Sequence, residues 1–436
     1  MFFLIYDILL ILVAPLILIH HVWRTVSRGR SFAGFGERFG FIPAGKLAEI
    51  SGKGPVWVHA VSVGETMAVK PLLREMKRRF PERPIVLSSV TETGRSVAVT
   101  IPEADVVIYF PFDFGFAVSR ALKLVSPSLV IVVETEIWPN FLRHARRRGI
   151  PAVMVNGRIS DRSFPRYLKF SRFFSPILAE LSALCMQSDE DARRIVAIGA
   201  PAERVFVARN LKYDLPVKDL DPAARDELRR LYRLPEGLRI LTAGSTHAGE
   251  EEAVVETYAR LLADFPGLFL VLVPRHPERA AEVAALIEAK GIPFVRRSAL
   301  NGPRAPEAGG VLLVDTIGEL MNLYALSAVV FVGGSLVPVG GHNLLEPASA
   351  GAPVLFGPHM HNFREISALV LASGAGEQFQ DREGMEAVLR RLLADEHARK
   401  HMGENGISLM MEQGGAAARH MDIIEPLIER DSKRAR

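Results

Sequence analysis

A chain of 436 residues, 49% hydrophobic and 23% charged, is long enough for two domains with separate cores and too apolar to be disordered. Its single cysteine, Cys185, excludes an internal disulfide and a cysteine metal cluster, and the small and apolar neighbours of Cys185 suit a buried, inert thiol. The net charge of +4 hides an asymmetry: residues 1–214 hold 29 Lys and Arg against 19 Asp and Glu, a balance of +10, while residues 215–436 carry a balance of −6.

The first 23 residues are apolar apart from Asp7, His20 and His21. A helix needs about 20 such residues to cross a bilayer, and Pro15 would kink it rather than forbid it. No basic residue precedes the stretch and no small-residue cleavage site comes after it, which disfavours a cleaved signal peptide. Arg24, Arg28, Arg30 and Arg38 come next, and the positive-inside rule places the rest of the chain in the cytoplasm. The expectation is an uncleaved single-pass anchor; the alternative is an amphipathic helix lying in the interface plane. A basic first half beside such a segment suits an anionic membrane surface or an anionic lipid substrate. Nucleic acid is not expected, because no binding motif appears and basic residues are not interleaved with stacking aromatics. GFGERFG at 34–40 lacks both the spacing and the preceding strand of a dinucleotide fingerprint, and reads as a juxtamembrane turn with an amphipathic segment.

Strands are expected at 56–59, 85–89, 106–110, 129–133 and 152–156, with helices at 65–80, 114–125 and 137–148 between them. Apolar runs without alternation, separated by helices, imply a parallel sheet buried on both faces. Arg146, Arg147 and Arg148 fall at a helix C-terminus, where they suit the dipole. The stretch 213–221 interrupts the pattern and reads as a linker. The theme then repeats, with strands at 239–243, 268–273, 311–314, 328–332 and 353–356 and helices at 249–263, 278–289, 366–372 and, broken, 382–411. Two Rossmann-like domains of this kind would face one another across a cleft at the C-terminal ends of their sheets.

The candidate chemistry sits at strand ends. In HAVSVGE (59–65), Glu65 opens a helix; there it either complements the dipole or acts as a general base. In ETEIWPN (134–140), Glu134 and Glu136 would point to opposite sides if the strand continued. NLKYD (210–214) puts Lys212 at the linker, either as a surface lysine or as a partner for a phosphate or carboxylate. In PRHPER (274–279), Arg275 offers a planar fork to a phosphate, and His276 orients a ligand or caps its turn. GSTHAGE (244–250) and DTIGEL (315–320) are further loop-to-helix turns. In FVGGSLVPVGGHNLLE (331–346), glycines allow close backbone approach to a ligand, and Asn343 and Glu346 stand at a helix start suited to an anion and a ribose. A tight turn without a ligand would leave the same trace. No His spacing, HExxH or GxSxG suggests a metal site or a serine triad. A sugar-nucleotide epimerase, a UDP-dependent hexose transferase and a tethered binding module without catalysis all remain open on the residues alone.

Taken in order along nearly the whole chain, SVGE (62–65), ETEIWPN, NLKYD, PRHPER, DTIGEL and GGHNLLEP (340–347) resemble the Kdo (3-deoxy-D-manno-octulosonic acid) transferases of lipopolysaccharide synthesis. The resemblance implies an α/β GT-B fold with a membrane anchor over 1–23. It implies an acceptor-binding domain over 24–214 and a CMP-sugar-binding domain over 215–436. It further implies inverting transfer of Kdo from CMP-Kdo to a lipid A precursor of the lipid IVA type at the cytoplasmic face of the inner membrane, without metal or other cofactor. Glu65 then matches the general base, and Glu134 and Lys212 the groups that stabilise the transition state. Pro274, Arg275, His276, Ile317, Gly318, Glu319, Asn343, Leu344, Leu345 and Glu346 match the CMP-contacting segments. The chain departs from the family at Leu344, where proline is frequent, at Tyr213 and Ile317, where phenylalanine and methionine are frequent, and at Arg209, where glycine is common.

Overall fold

The computed structural model describes residues 2–27, 34–215, 217–218, 220–302 and 305–434. The chain divides into one unit of Met1–Asp214 with Gly415–Arg436 and a second of Leu215–Gly414. The first holds β1 (Val56–His59), β2 (Ile85–Ser89), β3 (Val106–Tyr109), β4 (Leu129–Val133), β5 (Ala152–Gly157), β6 (Ala183–Met186) and β7 (Val205–Val207). The second holds β8 (Arg239–Thr246), β9 (Leu268–Pro274), β10 (Phe294–Arg296), β11 (Val311–Leu313), β12 (Val329–Val332), β13 (Val354–Phe356) and β14 (Gly376–Gln378). Four of these, β6, β7, β10 and β14, lie outside the strands expected from the sequence.

Every pairing is parallel. The first sheet runs β3-β2-β1-β4-β5-β6-β7 and the second β10-β11-β9-β8-β12-β13-β14. In each sheet the strand order reverses once, between β1 and β4 in the first and between β8 and β12 in the second. The loops leaving such a reversal diverge to opposite faces and open a crevice at the C-terminal edge, where ligands of open α/β sheets bind.

Apolar residues pack both faces of the first sheet. Trp57, Val86, Val130, Val132 and Met154 face one side, covered by helices Gly115–Val125 and Pro139–Arg147. Val56, Val58, Leu87, Ile131, Val133 and Val155 face the other, covered by helices Val63–Arg79 and Ala416–Arg434. The last helix buries Met421, Ile424 and Ile428 completely in that core, and Arg79 pairs with Asp422 at 2.8 Å and Glu425 at 2.7 Å. Residues 415–436, expected in the second domain, thus complete the first; their apolar stripe finds its partners on the opposite end of the chain.

Two further expectations need correction. A helix does span Phe2–Ser27, but no helix is long and apolar enough to cross a membrane among the described residues, so the single-pass anchor is not supported. The helix is instead tied to the first unit through its polar residues. The Tyr6 hydroxyl donates to Asp113 at 2.8 Å, and Asp7 accepts from the Asn140 amide at 2.7 Å. Arg28 and Arg30 lie outside the described residues. The 34–40 segment is not an amphipathic surface stretch either. Glu37 and Arg38 are buried: Glu37 accepts the Tyr109 N–H at 2.8 Å and Arg38 donates to the Val90 carbonyl at 2.6 Å. The 382–411 helix breaks as expected, at Asp395, whose carboxylate caps the second half by accepting from Ala398 N–H.

Candidate active site

On the first unit, the loops after β1 and β4 flank the reversal. Ser62 caps helix Val63–Arg79, accepting from the Glu65 N–H at 3.4 Å. The Glu65 carboxylate folds back to accept from Val61 N–H and from the Ser62 hydroxyl, both at 2.8 Å. The two bonds tie the carboxylate to the residue before the cap and to the cap hydroxyl, and hold the side chain back over the start of its own helix. Glu65 is only 8% exposed. Burial pushes its carboxyl above the ordinary range and the Glu134 charge adds to this, against the two hydrogen bonds and the Lys212 ammonium.

Beyond β4 the strand does not continue. Glu134 adopts φ +57°, a left-handed conformation that is costly for a side-chain-bearing residue. Lys212 donates to Glu134 at 3.1 Å. Glu134 and Glu136 therefore do not diverge to opposite sides. Burial, then the Glu65 and Glu134 charges, raise the Glu136 carboxyl to about 7, so three carboxylates and one lysine share this edge. Glu136 stands in the sequence motif, but its role as the third member depends on the turn at Glu134.

Lys212 is positioned by its neighbours in NLKYD and by two buried residues that the motifs did not single out, Asn156 and His420. Asn156, at φ +55° near the end of β5, accepts the Leu211 N–H at 2.9 Å, and Asn210 accepts the Lys212 N–H at 2.9 Å. The Asn156 N–H donates to His420 Nε2 at 3.1 Å. His420 Nδ1 lies 2.8 Å from the Ala416 carbonyl, which fixes the proton on Nδ1. Burial holds His420 neutral, at about 4. Asp214 closes the loop by accepting from Gly415 and Ala417 N–H at 3.0 and 2.5 Å. Asn-Gly at a strand end was the available signal for Asn156; His420 had none.

On the second unit, the site residues follow β9, β11 and β12. Pro274 ends β9 and the Arg275 N–H donates to the Thr246 carbonyl at 2.9 Å, leaving the guanidinium exposed. Glu346 is pushed above the ordinary range by burial, against the Asn343 amide at 3.4 Å and the Arg275 charge. Asn343 accepts the Leu345 N–H at 3.1 Å. The Leu344 and Leu345 side chains are core, so only their backbone is available to a ligand. Helix Leu345–Ser349 has five residues, and its dipole is correspondingly small. Gly340 and Gly341 differ from the expectation. Their φ values are +113° and +80°, but a Cβ would lie 2.1 Å from Asn362 Nδ2 and 2.3 Å from Met360 Sδ respectively. These glycines admit a neighbouring loop rather than a ligand.

Ile317 is 86% exposed and Gly318 has φ +90° with open space where a Cβ would stand. Burial opposes the Glu319 charge, but the Thr316 hydroxyl and the Arg297 guanidinium outweigh it and hold the carboxyl below the ordinary range. That carboxylate is already engaged. His276 stands 3.8 Å from Glu278, its ring edge-on to His247. His247 and His342 meet through Nε2 at 2.9 Å with rings 6° apart, a head-on N–H···N bond joining the loops after β8 and β12. Glu250, fully buried, accepts four N–H groups, from His247, Gly334, Ser335 and Leu336, at 2.7–3.0 Å. It sets the geometry of the turn after β12. Among the described residues no group of three His, Cys, Asp or Glu side chains is disposed to hold a metal.

Residues 33–215 match a family model described as 3-deoxy-D-manno-octulosonic-acid transferase (kdotransferase). The 3-deoxy-D-manno-octulosonic acid transferase of Haemophilus influenzae is 36% identical over 98% of this chain and 99% of its own length. That of Bordetella pertussis is 34% identical over 94% and 96%. Among solved structures, the UDP-GlcNAc 2-epimerase of Neisseria meningitidis bound to UDP-GlcNAc has a TM-score of 0.57 at 12% identity, covering 85% of this chain and all of that one. MurG of Acinetobacter baumannii has a TM-score of 0.52 at 13% identity, covering 85% and 99%. These two share the fold of paired parallel-sheet α/β domains found in GT-B enzymes. With relatives matching from end to end, and with the motif residues standing just past the C-terminal ends of strands in both sheets, the chain belongs to the 3-deoxy-D-manno-octulosonic acid (Kdo) transferases and is a glycosyltransferase.

Proposed function

We propose that this enzyme transfers Kdo from CMP-Kdo to a lipid A precursor of the lipid IVA type, with inversion, in lipopolysaccharide biosynthesis. The observation that carries this reading is Glu65: a buried carboxylate of raised basicity, held over the start of its own helix at the reversal edge beside Glu134 and Lys212. Glu65 takes the proton of an acceptor sugar hydroxyl as its oxygen attacks the ketosidic carbon. The carbon–oxygen bond to the phosphate breaks on the opposite face, and CMP leaves with the bonding electrons. Lys212, oriented by Glu134, meets negative charge in the transition state, and Arg275 meets the phosphate of the leaving group. Pro274, His276, the 317–319 turn, and Asn343 to Glu346 bind the nucleotide, with Glu346 accepting from ribose hydroxyls.

The substrate lipid brings the enzyme to the cytoplasmic face of the inner membrane. Ile5, Ile8, Leu9, Ile11 and Leu12 on helix Phe2–Ser27 are exposed, and the first unit is basic, which supports contact with an anionic bilayer. The test is incubation with CMP-Kdo and a tetraacylated lipid A precursor, followed by mass measurement of the product. A mass gain of one or more Kdo units is the expected result; transfer from a UDP-hexose in its place would overturn the reading.

A further inference from the structure

At the C-terminal ends of β13 and β14 a cavity of about 410 Å³ opens, with His359, His361, Arg364, Ser367 and Gln378 in its walls. None of the residues assigned above lines it, and its size suits a small-molecule site. The walls offer a guanidinium, two imidazoles, a hydroxyl and a carboxamide, and no carboxylate. Arg364 and the two imidazoles have no ion pair among the described residues, while the Gln378 amide donates to the Gly357 carbonyl at 3.1 Å and is held in place. Walls of this chemistry take an anion that also carries hydroxyls.

The cavity is built into the same body as the nucleotide residues. The loop carrying His359 and His361 lies on Gly340 and Gly341: the Asn362 N–H donates to the Gly340 carbonyl at 3.1 Å and its amide to the Val339 carbonyl at 3.2 Å. The His359 N–H donates to the Ser335 carbonyl at 2.9 Å, in the turn that Glu250 organises. A CMP-linked octulosonic acid has two anionic groups, a phosphodiester and a carboxylate. This edge has two exposed guanidiniums without an ion pair among the described residues, Arg275 and Arg364.

We infer that the cavity receives the sugar of the donor, with Arg364 pairing with its carboxylate and His359, His361 and Gln378 meeting its hydroxyls. This rests on CMP-Kdo being the donor. The test uses the full-length enzyme, comparing the KM for CMP-Kdo with inhibition by CMP, which lacks the sugar. Arg364→Gln is expected to raise the KM for CMP-Kdo about 10-fold or more, the scale of a lost charge-assisted pair, while the CMP inhibition constant stays within about twofold. Arg364→Lys, which keeps the charge without the fork, falls between. His361→Gln is read in the same way and provides a second wall should the arginine variant fail to fold. An unchanged KM, or CMP inhibition weakened in parallel because the cavity holds the phosphate, overturns the sugar site alone. Absence of both CMP inhibition and transfer in the unaltered enzyme removes the donor assignment and the sugar site together.

Discussion

At the scale of single residues, Glu65, the general base proposed above, would serve both stability and chemistry. Its carboxyl is raised in the folded state, so the folded protein holds that proton more tightly than the unfolded chain. The stabilisation this gives is full below the ordinary glutamate range and is lost as pH rises through the raised value. The charged form that a general base requires is therefore the less stable one. Glu65→Gln is expected to leave Tm unchanged or slightly higher and CMP affinity intact, while transfer falls by about 100-fold or more. The activity of the parent should rise with pH above the ordinary glutamate range, and the variant should lose that limb. Turnover near that of the parent would remove Glu65 from the mechanism. Arg209 provides a test of strain: at φ +70° it occupies a conformation that glycine adopts freely. Arg209→Gly should stabilise the first unit by roughly 1 kcal/mol in a denaturant titration; a loss of stability would mean that the guanidinium contributes more than the backbone costs.

At the scale of elements, the loops at the reversal edges are held by buried polar groups rather than by the helices they enter. Glu250 is the clearest case, with four backbone donors converging on one fully buried carboxylate. Glu250→Ala leaves those donors without a partner, at about 1–3 kcal/mol for each that water cannot reach. The second unit of this variant should melt at a lower temperature, and CMP binding should weaken because the loop between β12 and Asn343 loses its shape. A Tm equal to that of the parent would show that water satisfies the donors. The short strands missed in the sequence were those whose formation depends on their neighbours. β7, β10 and β14 have three residues each, and such segments become strands only because an adjacent strand offers its hydrogen bonds. The longer apolar runs, such as 129–133 and 268–273, needed no such help.

At the scale of the whole molecule, the return of residues 415–436 couples the two ends of the chain. It also sharpens the charge asymmetry: the first unit carries 34 Lys and Arg against 23 Asp and Glu, a balance of +11. Ending the chain after Gly414 removes the large apolar side chains of Met421, Ile424 and Ile428 from the first core, each contributing about 1.5–3 kcal/mol, together with the His420 contact that orders Asn156. The truncated protein should lose a protease-resistant first unit and all transfer activity while still binding CMP through the second. A full-strength first unit in the truncated chain would show that the helix is an accessory. His420 adds a pH dependence. Its folded value is depressed to about 4, so its contribution is full above about 6.5 and is lost as pH falls from there through 4. Acid unfolding of the first unit should begin in that window.

Read alone, the amino-acid sequence specifies the fold class, the two-domain division near residue 214, the family and the identity of the motif residues. Apolar runs of strand length, and charged or glycine-rich segments just past them, are local patterns that can be read without knowing what lies across the sheet. They leave open that Glu134 turns back toward Glu65, that Glu136 joins them, that Gly340 and Gly341 admit residues 360–362, and that a helix from the far C-terminus sets Lys212 in place. Each of these depends on which surfaces meet when distant segments pack, and burial, strain and hydrogen-bond partners exist only once they do.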